Sequence, residues 1–108
     1  MSYVYLITAL DKEIIIDTDN PLYKIGVTKQ SKNKRLKQLS TGNSKDLKLV
    51  NEFKSEFAYK LESVLHRQFK DKKVNKEWYA LDKIDVENFI TTCLKYENNF
   101  KILETTIF

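Results

Sequence analysis

One cysteine, one histidine, one proline and two glycines are all that 108 residues hold of the types that staple, ligate or punctuate a small protein. With a single cysteine, Cys93, no internal disulfide can form. One Cys and one His also cannot make the four ligands of a structural zinc site. No apolar run approaches the about 18 residues that a membrane-crossing helix needs. The start, "MSYVYLITAL", has neither a basic leader nor an Ala-x-Ala-like cleavage site. Together these absences lead to the expectation of a soluble, intracellular chain in a reducing compartment, without membrane contact. Internal repeats and low-complexity stretches are also missing.

Hydrophobic residues make up 42% of the chain and aromatic residues 12%, a composition that folds. A chain this long buries roughly 65% of its unfolded surface, enough for one core, so residues 1–108 are expected to form a single domain. The net charge is +4 and the pI about 9.1. That excess suits a polyanionic partner without demanding one. The densest basic run is Lys29 to Lys37.

"YVYLIT" (3–8) is β-branched and aromatic and reads as a strand, with Tyr3, Tyr5 and Ile7 on one face. The polar segment 11–21 ends in turn residues, and "LYKIGVT" (22–28) reads as a second strand, paired antiparallel to the first. Residues 29–42 read as a short helix anchored by Leu36 and Leu39 and ended by Gly42. "DLKLVNEF" (46–53) reads as a third strand with Leu47, Leu49 and Asn51 along one face. Residues 55–70 form an amphipathic helix with Phe57, Leu61, Val64, Leu65 and Phe69 on one stripe and Ser55 as N-cap. Residues 72–81 read as a loop ending in a short extended piece, with Trp78 packed over the helices. Residues 82–98 form the last helix, capped by Asp82 or Asp85, with Val86, Phe89, Ile90, Cys93 and Leu94 in helical register. Residues 100–108 read as a short strand or a docked tail. The order ββαβαα, opening on a hairpin, predicts a small α+β fold.

Five side chains are more polar or more specific than their places require. Tyr5 alone reads as an aromatic on a sheet face, and Lys24 as a solvent-side lysine. Gly26, on the face of Lys24, changes the second reading, because glycine inside a strand marks a close approach. Arg35 reads as a solvated arginine or as a phosphate clamp. Glu62 and His66 lie one helical turn apart, either as a surface pair or as a carboxylate for a hard cation with a histidine beside it. Phenol, lysine, arginine, histidine and carboxylate together are an inventory for metal-assisted phosphodiester hydrolysis.

The ordered pieces "YVY" (3–5), "KIGVT" (24–28), "RLKQLSTGN" (35–43), "LESVLHRQF" (61–69) and "EWY" (77–79) resemble the GIY-YIG nuclease superfamily. They resemble most its subgroup in phages and large DNA viruses, whose second motif reads KIG. The resemblance covers about residues 3–81, leaving 82–108 as a C-terminal helix and tail. It implies a three-stranded antiparallel sheet flanked by helices and a DNA-binding basic face. It implies catalytic roles for Tyr5, Arg35 and Glu62, with Glu62 holding Mg²⁺ or Mn²⁺, and the residues themselves add Lys24 and His66 as catalytic candidates. Lys24, Gly26, Thr28, Lys32, Lys34 and Arg35 are the expected DNA contacts. Two positions depart from the wider pattern: Tyr3 stands in place of a glycine and Lys24 in place of a tyrosine. The identity of the general base is therefore open, and an ammonium at Lys24 would favour the ionised form of the phenol at Tyr5.

The function expected is a divalent-metal-dependent DNA endonuclease. The alternatives are a module of the same fold that binds nucleic acid without cutting, and an interaction domain that dimerises through an edge strand in 100–108. No zinc finger or helix-turn-helix is appended to read bases, so the open expectations are action on structured or single-stranded DNA, a homodimer, or a separate partner.

Overall fold

The computed structural model describes residues 1–10, 21–29, 46–75 and 78–105. The segment 29–42, with Lys32, Lys34 and Arg35, lies outside the described residues apart from Lys29, as does the connection 11–20.

Three strands form one antiparallel sheet: β1 (Ser2–Leu10), β2 (Tyr23–Thr28) and β3 (Asp46–Ser55), in the order β2-β1-β3. The central position of β1 explains its composition. Val4 and Leu6 point one way and Tyr5 and Ile7 the other, and all four are buried. A strand covered on both faces carries apolar residues at successive positions instead of alternating with polar ones.

The register of β3 corrects one expectation. Leu6 pairs with Asn51 and Ile7 with Leu49, leaving Val50 as the extra residue of a bulge. Leu49 and Asn51 therefore oppose residues of opposite faces of β1, and they do not line one face.

Helix α1 (Ala58–Gln68) lies across the face bearing Val4, Leu6 and Ile25. Phe57, Leu61, Leu65 and Phe69 recur every four residues and are all buried, and Val64 is half-buried. The helix starts later than its apolar stripe predicts. Ser55 is still paired to Ser2 in the sheet, and its hydroxyl accepts the Phe57 N–H at 3.0 Å. Ser55 thus makes the turn into the helix, and Phe57 holds the N-cap position without a side-chain cap.

A single 3₁₀ turn (Lys70–Lys72) follows, and then α2 (Lys83–Glu87) and α3 (Phe89–Thr105). Asp82 caps α2 in a reciprocal capping box with Asp85, as the sequence predicts. The one helix expected over 82–98 is instead two. Asn88 (φ −93°, ψ 9°) ends α2, consistent with the competition of its side chain for backbone groups. Phe89 and Cys93 are buried beyond the break, but Leu94 is 45% exposed and leaves the expected stripe. Residues 100–105 continue α3 as helix, so of the two readings offered for the end of the chain the strand is not formed over those residues, and 106–108 lie outside the described residues. No helix among the described residues is long and apolar enough to cross a membrane.

Candidate active site at the β2 edge of the sheet

β2 is the edge strand, so half of its backbone groups point away from β1. Tyr23 exchanges two backbone hydrogen bonds with Tyr79, N to O at 2.9 Å and O to N at 2.8 Å. Its N–H and C=O therefore face outward. Two residues on, Ile25 turns the same way by strand alternation. Its carbonyl accepts a hydrogen bond from His66 Nε2 at 2.9 Å. A carbonyl only accepts, so Nε2 carries a proton in this bond, which leaves Nδ1 as the ring nitrogen not engaged by Ile25. The His66 ring also lies 5.5 Å from the ring of Tyr79. One residue pair and one side chain thus close the outer edge of β2 from the α1 side.

From the opposite face comes Tyr5. The register pairs Tyr5 with Gly26 and Ile7 with Lys24, so Tyr5, Lys24 and Gly26 share a face, as expected, and Tyr23 is on the other. A Cβ placed on Gly26 would lie 2.2 Å from the Tyr5 hydroxyl oxygen and 2.4 Å from Cζ. The close approach that this glycine permits is made by the Tyr5 phenol itself. Lys24 is half-buried one diagonal step from Tyr5, and Thr28 is buried opposite Tyr3.

Glu62 stands one turn before His66 on α1 and is half-buried. Burial, and then the negative charge of Glu62, push the Tyr79 phenol above its ordinary value. Tyr79 is therefore a neutral hydroxyl at physiological pH, and Glu62 is its electrostatic neighbour.

Two groups meet β2 at neighbouring residues: Tyr5 over Gly26 from one face and His66 on Ile25 at the edge; Glu62 stands one turn before His66 on α1. Arg35, Lys32 and Lys34 lie outside the described residues. Among the described residues no three His, Cys, Asp or Glu side chains gather as a ligand set. A magnesium ion commonly keeps several waters and takes one or two carboxylates, so the donor chemistry of Glu62 alone fits that ion.

Two residues were missed by sequence reasoning. Tyr79, not Trp78, is the aromatic that enters the core: Tyr79 is 3% exposed and Trp78 only half-buried. The signal was the extended piece after the loop, whose second aromatic could pair with an edge. Glu52 opposes Tyr5 on β3, and its Oε2 is buried with no hydrogen-bond partner among the described residues. Only the alternation of β3 pointed to it, and the bulge at Val50 disrupts that alternation.

A family model, the T5orf172 domain, matches residues 2–94. That domain is associated with phage and nuclease-like modules. No curated protein and no solved structure matches the chain.

Proposed function

Because the chain belongs to the T5orf172 domain family, we propose that it is a divalent-metal-dependent endonuclease of the GIY-YIG type that hydrolyses DNA phosphodiester bonds. The observation that carries this reading is the convergence on residues 24–26: the Tyr5 phenol from one face of the sheet and His66 from the edge.

Each side chain has a task in this reading. Lys24 and Arg35 offer cationic donors to a phosphate, Lys24 as a point charge and Arg35 as a fork. Tyr5 orients the attacking water through its hydroxyl. His66 is held by its Nε2–H on Ile25, so any proton it moves goes through Nδ1. Glu62 is the carboxylate that would hold Mg²⁺ or Mn²⁺, and such an ion, when bound, polarises the phosphate and stabilises the leaving oxygen. Gly26, Thr28, Lys32 and Lys34 complete the proposed DNA contacts.

One observation favours a second reading. Tyr5 is only 4% exposed, which suits a sheet-packing aromatic in a module that binds DNA without cutting. The deciding experiment is cleavage of plasmid and branched DNA with Mg²⁺ or Mn²⁺. Wild type is expected to cut, and Glu62→Ala and Lys24→Met to lose most of that activity. Absence of cleavage by wild type on every substrate, with DNA binding retained, would favour the binding module.

A further inference from the structure

We infer that a second basic surface, Arg67, Lys70 and Lys73, holds the DNA backbone beside the candidate active site; the inference rests on the nuclease reading above. The three residues are three apart, and the chain conformation makes that spacing count. Arg67 is in the last turn of α1, Lys70 opens the 3₁₀ turn, and Lys73 follows it, its N–H bonded to the Lys70 carbonyl at 3.3 Å. Residues three apart lie on one side of a 3₁₀ turn and close together on an α-helix. All three side chains are exposed.

The ridge is joined to the site at both ends. Arg67 directly follows His66, whose ring is bonded to Ile25. Lys73 forms a bridge with Tyr79, and Tyr79 bridges to Tyr23 on β2. Two strand spacings put the backbone of Lys73 about 10 Å outside β2. A strand of nucleic acid whose phosphate lies at residues 24–26 therefore meets these cations with its neighbouring phosphates.

Folding accounts for little of this pattern. A cation near a helix C-terminus interacts well with the helix dipole, which covers Arg67 but not Lys73. The neighbouring Lys72 serves the fold instead, paired with Asp82 at 3.2 Å and with Asp85. Among the described residues the ion pairs engage Lys72, Lys83 and Lys101, and not Arg67, Lys70 or Lys73. The exposed Asp71 between them offsets one charge and leaves the ridge cationic.

The test measures duplex DNA affinity against salt concentration for Glu62→Ala and for the same chain carrying Arg67→Ala, Lys70→Ala and Lys73→Ala, with wild-type cleavage run alongside. Each phosphate contact contributes about 0.9 to the slope of log affinity on log salt, so losing three lowers the slope by about 2 to 3. Circular dichroism melting of both chains checks that the fold is kept. A slope lowered by that amount supports the ridge. An unchanged slope and affinity while wild type cleaves overturns the ridge and leaves the nuclease reading standing. The same result with an acidic protein, but not DNA, displaced by the triple substitution also overturns it. Wild type that neither binds nor cleaves DNA overturns both.

Discussion

The phenol of Tyr5 lies across the α-carbon of Gly26, its partner on the neighbouring strand, and fills the space a side chain would take there. The pair explains a scarce glycine in a strand without appeal to any ligand. Gly26→Ala would put a methyl group 2.2 Å from the Tyr5 hydroxyl and 2.9 Å from Cε2, so the ring must swing away. Overpacking of this kind costs about 1–3 kcal/mol. The cost should largely vanish in a Tyr5→Ala background. Urea unfolding of the two single variants and the double variant measures that coupling. Equal costs in both backgrounds would refute the contact. In the nuclease reading the same displaced phenol lowers cleavage as well.

His66 gives a prediction that separates support from chemistry. Its Nε2–H is fixed on Ile25, and Nδ1 is the nitrogen left for proton transfer. Glutamine can place an N–H near the position of Nε2 but carries no titratable group. His66→Gln should keep most of the stability, while His66→Ala loses about 1 kcal/mol. Both should lose cleavage alike. A glutamine variant as active as wild type would show that His66 only supports the edge of β2.

The sequence made the sheet face legible because strand alternation has a period of two and a single answer. Tyr5, Lys24 and Gly26 were placed together by it, and Tyr23 opposite. The same rule failed on β3, where the bulge at Val50 inserts one residue that no composition signal marks. Helix faces were legible where the apolar stripe was dense, as from Phe57 to Phe69. Ends were not, because Ser55 remained in the sheet and Asn88 broke a run that apolar spacing alone would continue. At the site, the partnership of His66 with Ile25 was hidden, since a side chain seeking a backbone carbonyl across 41 residues leaves no trace in local spacing. Tyr79 was hidden for the same reason: it joins β2 through its backbone.

Lys72 and the capping box of α2 form one unit. Hydrogen bonding to Asp85 first, and then to Asp82, holds the Lys72 ammonium above its ordinary value despite the opposing effect of desolvation. The backbone N–H of Asp85, and then Lys72, hold the Asp82 carboxyl below the usual carboxylate range. A lowered carboxyl stabilises the fold at neutral pH, and that contribution fades as the pH falls through its lowered value. Asp82→Ala should therefore destabilise more than Lys72→Met, because it removes the cap along with the ion pair. Asp82→Ala should also lose part of the acid sensitivity of the wild-type chain between about pH 5 and 3. Thermal melting of the three chains across that range checks both orders.

Cys93 sets the alkaline limit. Burial, and then the charge of Glu97, push its thiol up to about 12. An unfolded cysteine titrates near about 8.5. Between those values the folded chain keeps a proton that the unfolded chain has lost, so stability is complete below about pH 8.5 and falls as the pH rises. The slope is at most about 1.4 kcal/mol for each pH unit. Tyr79, raised in the same direction, adds to the fall at higher pH. Cys93→Ala leaves a small cavity and lowers stability near neutral pH, but it removes the thiol's share of the slope. Urea unfolding from pH 8 to 10.5 should therefore give converging stabilities for wild type and Cys93→Ala. Parallel curves would mean that the thiol is open to solvent in the folded chain.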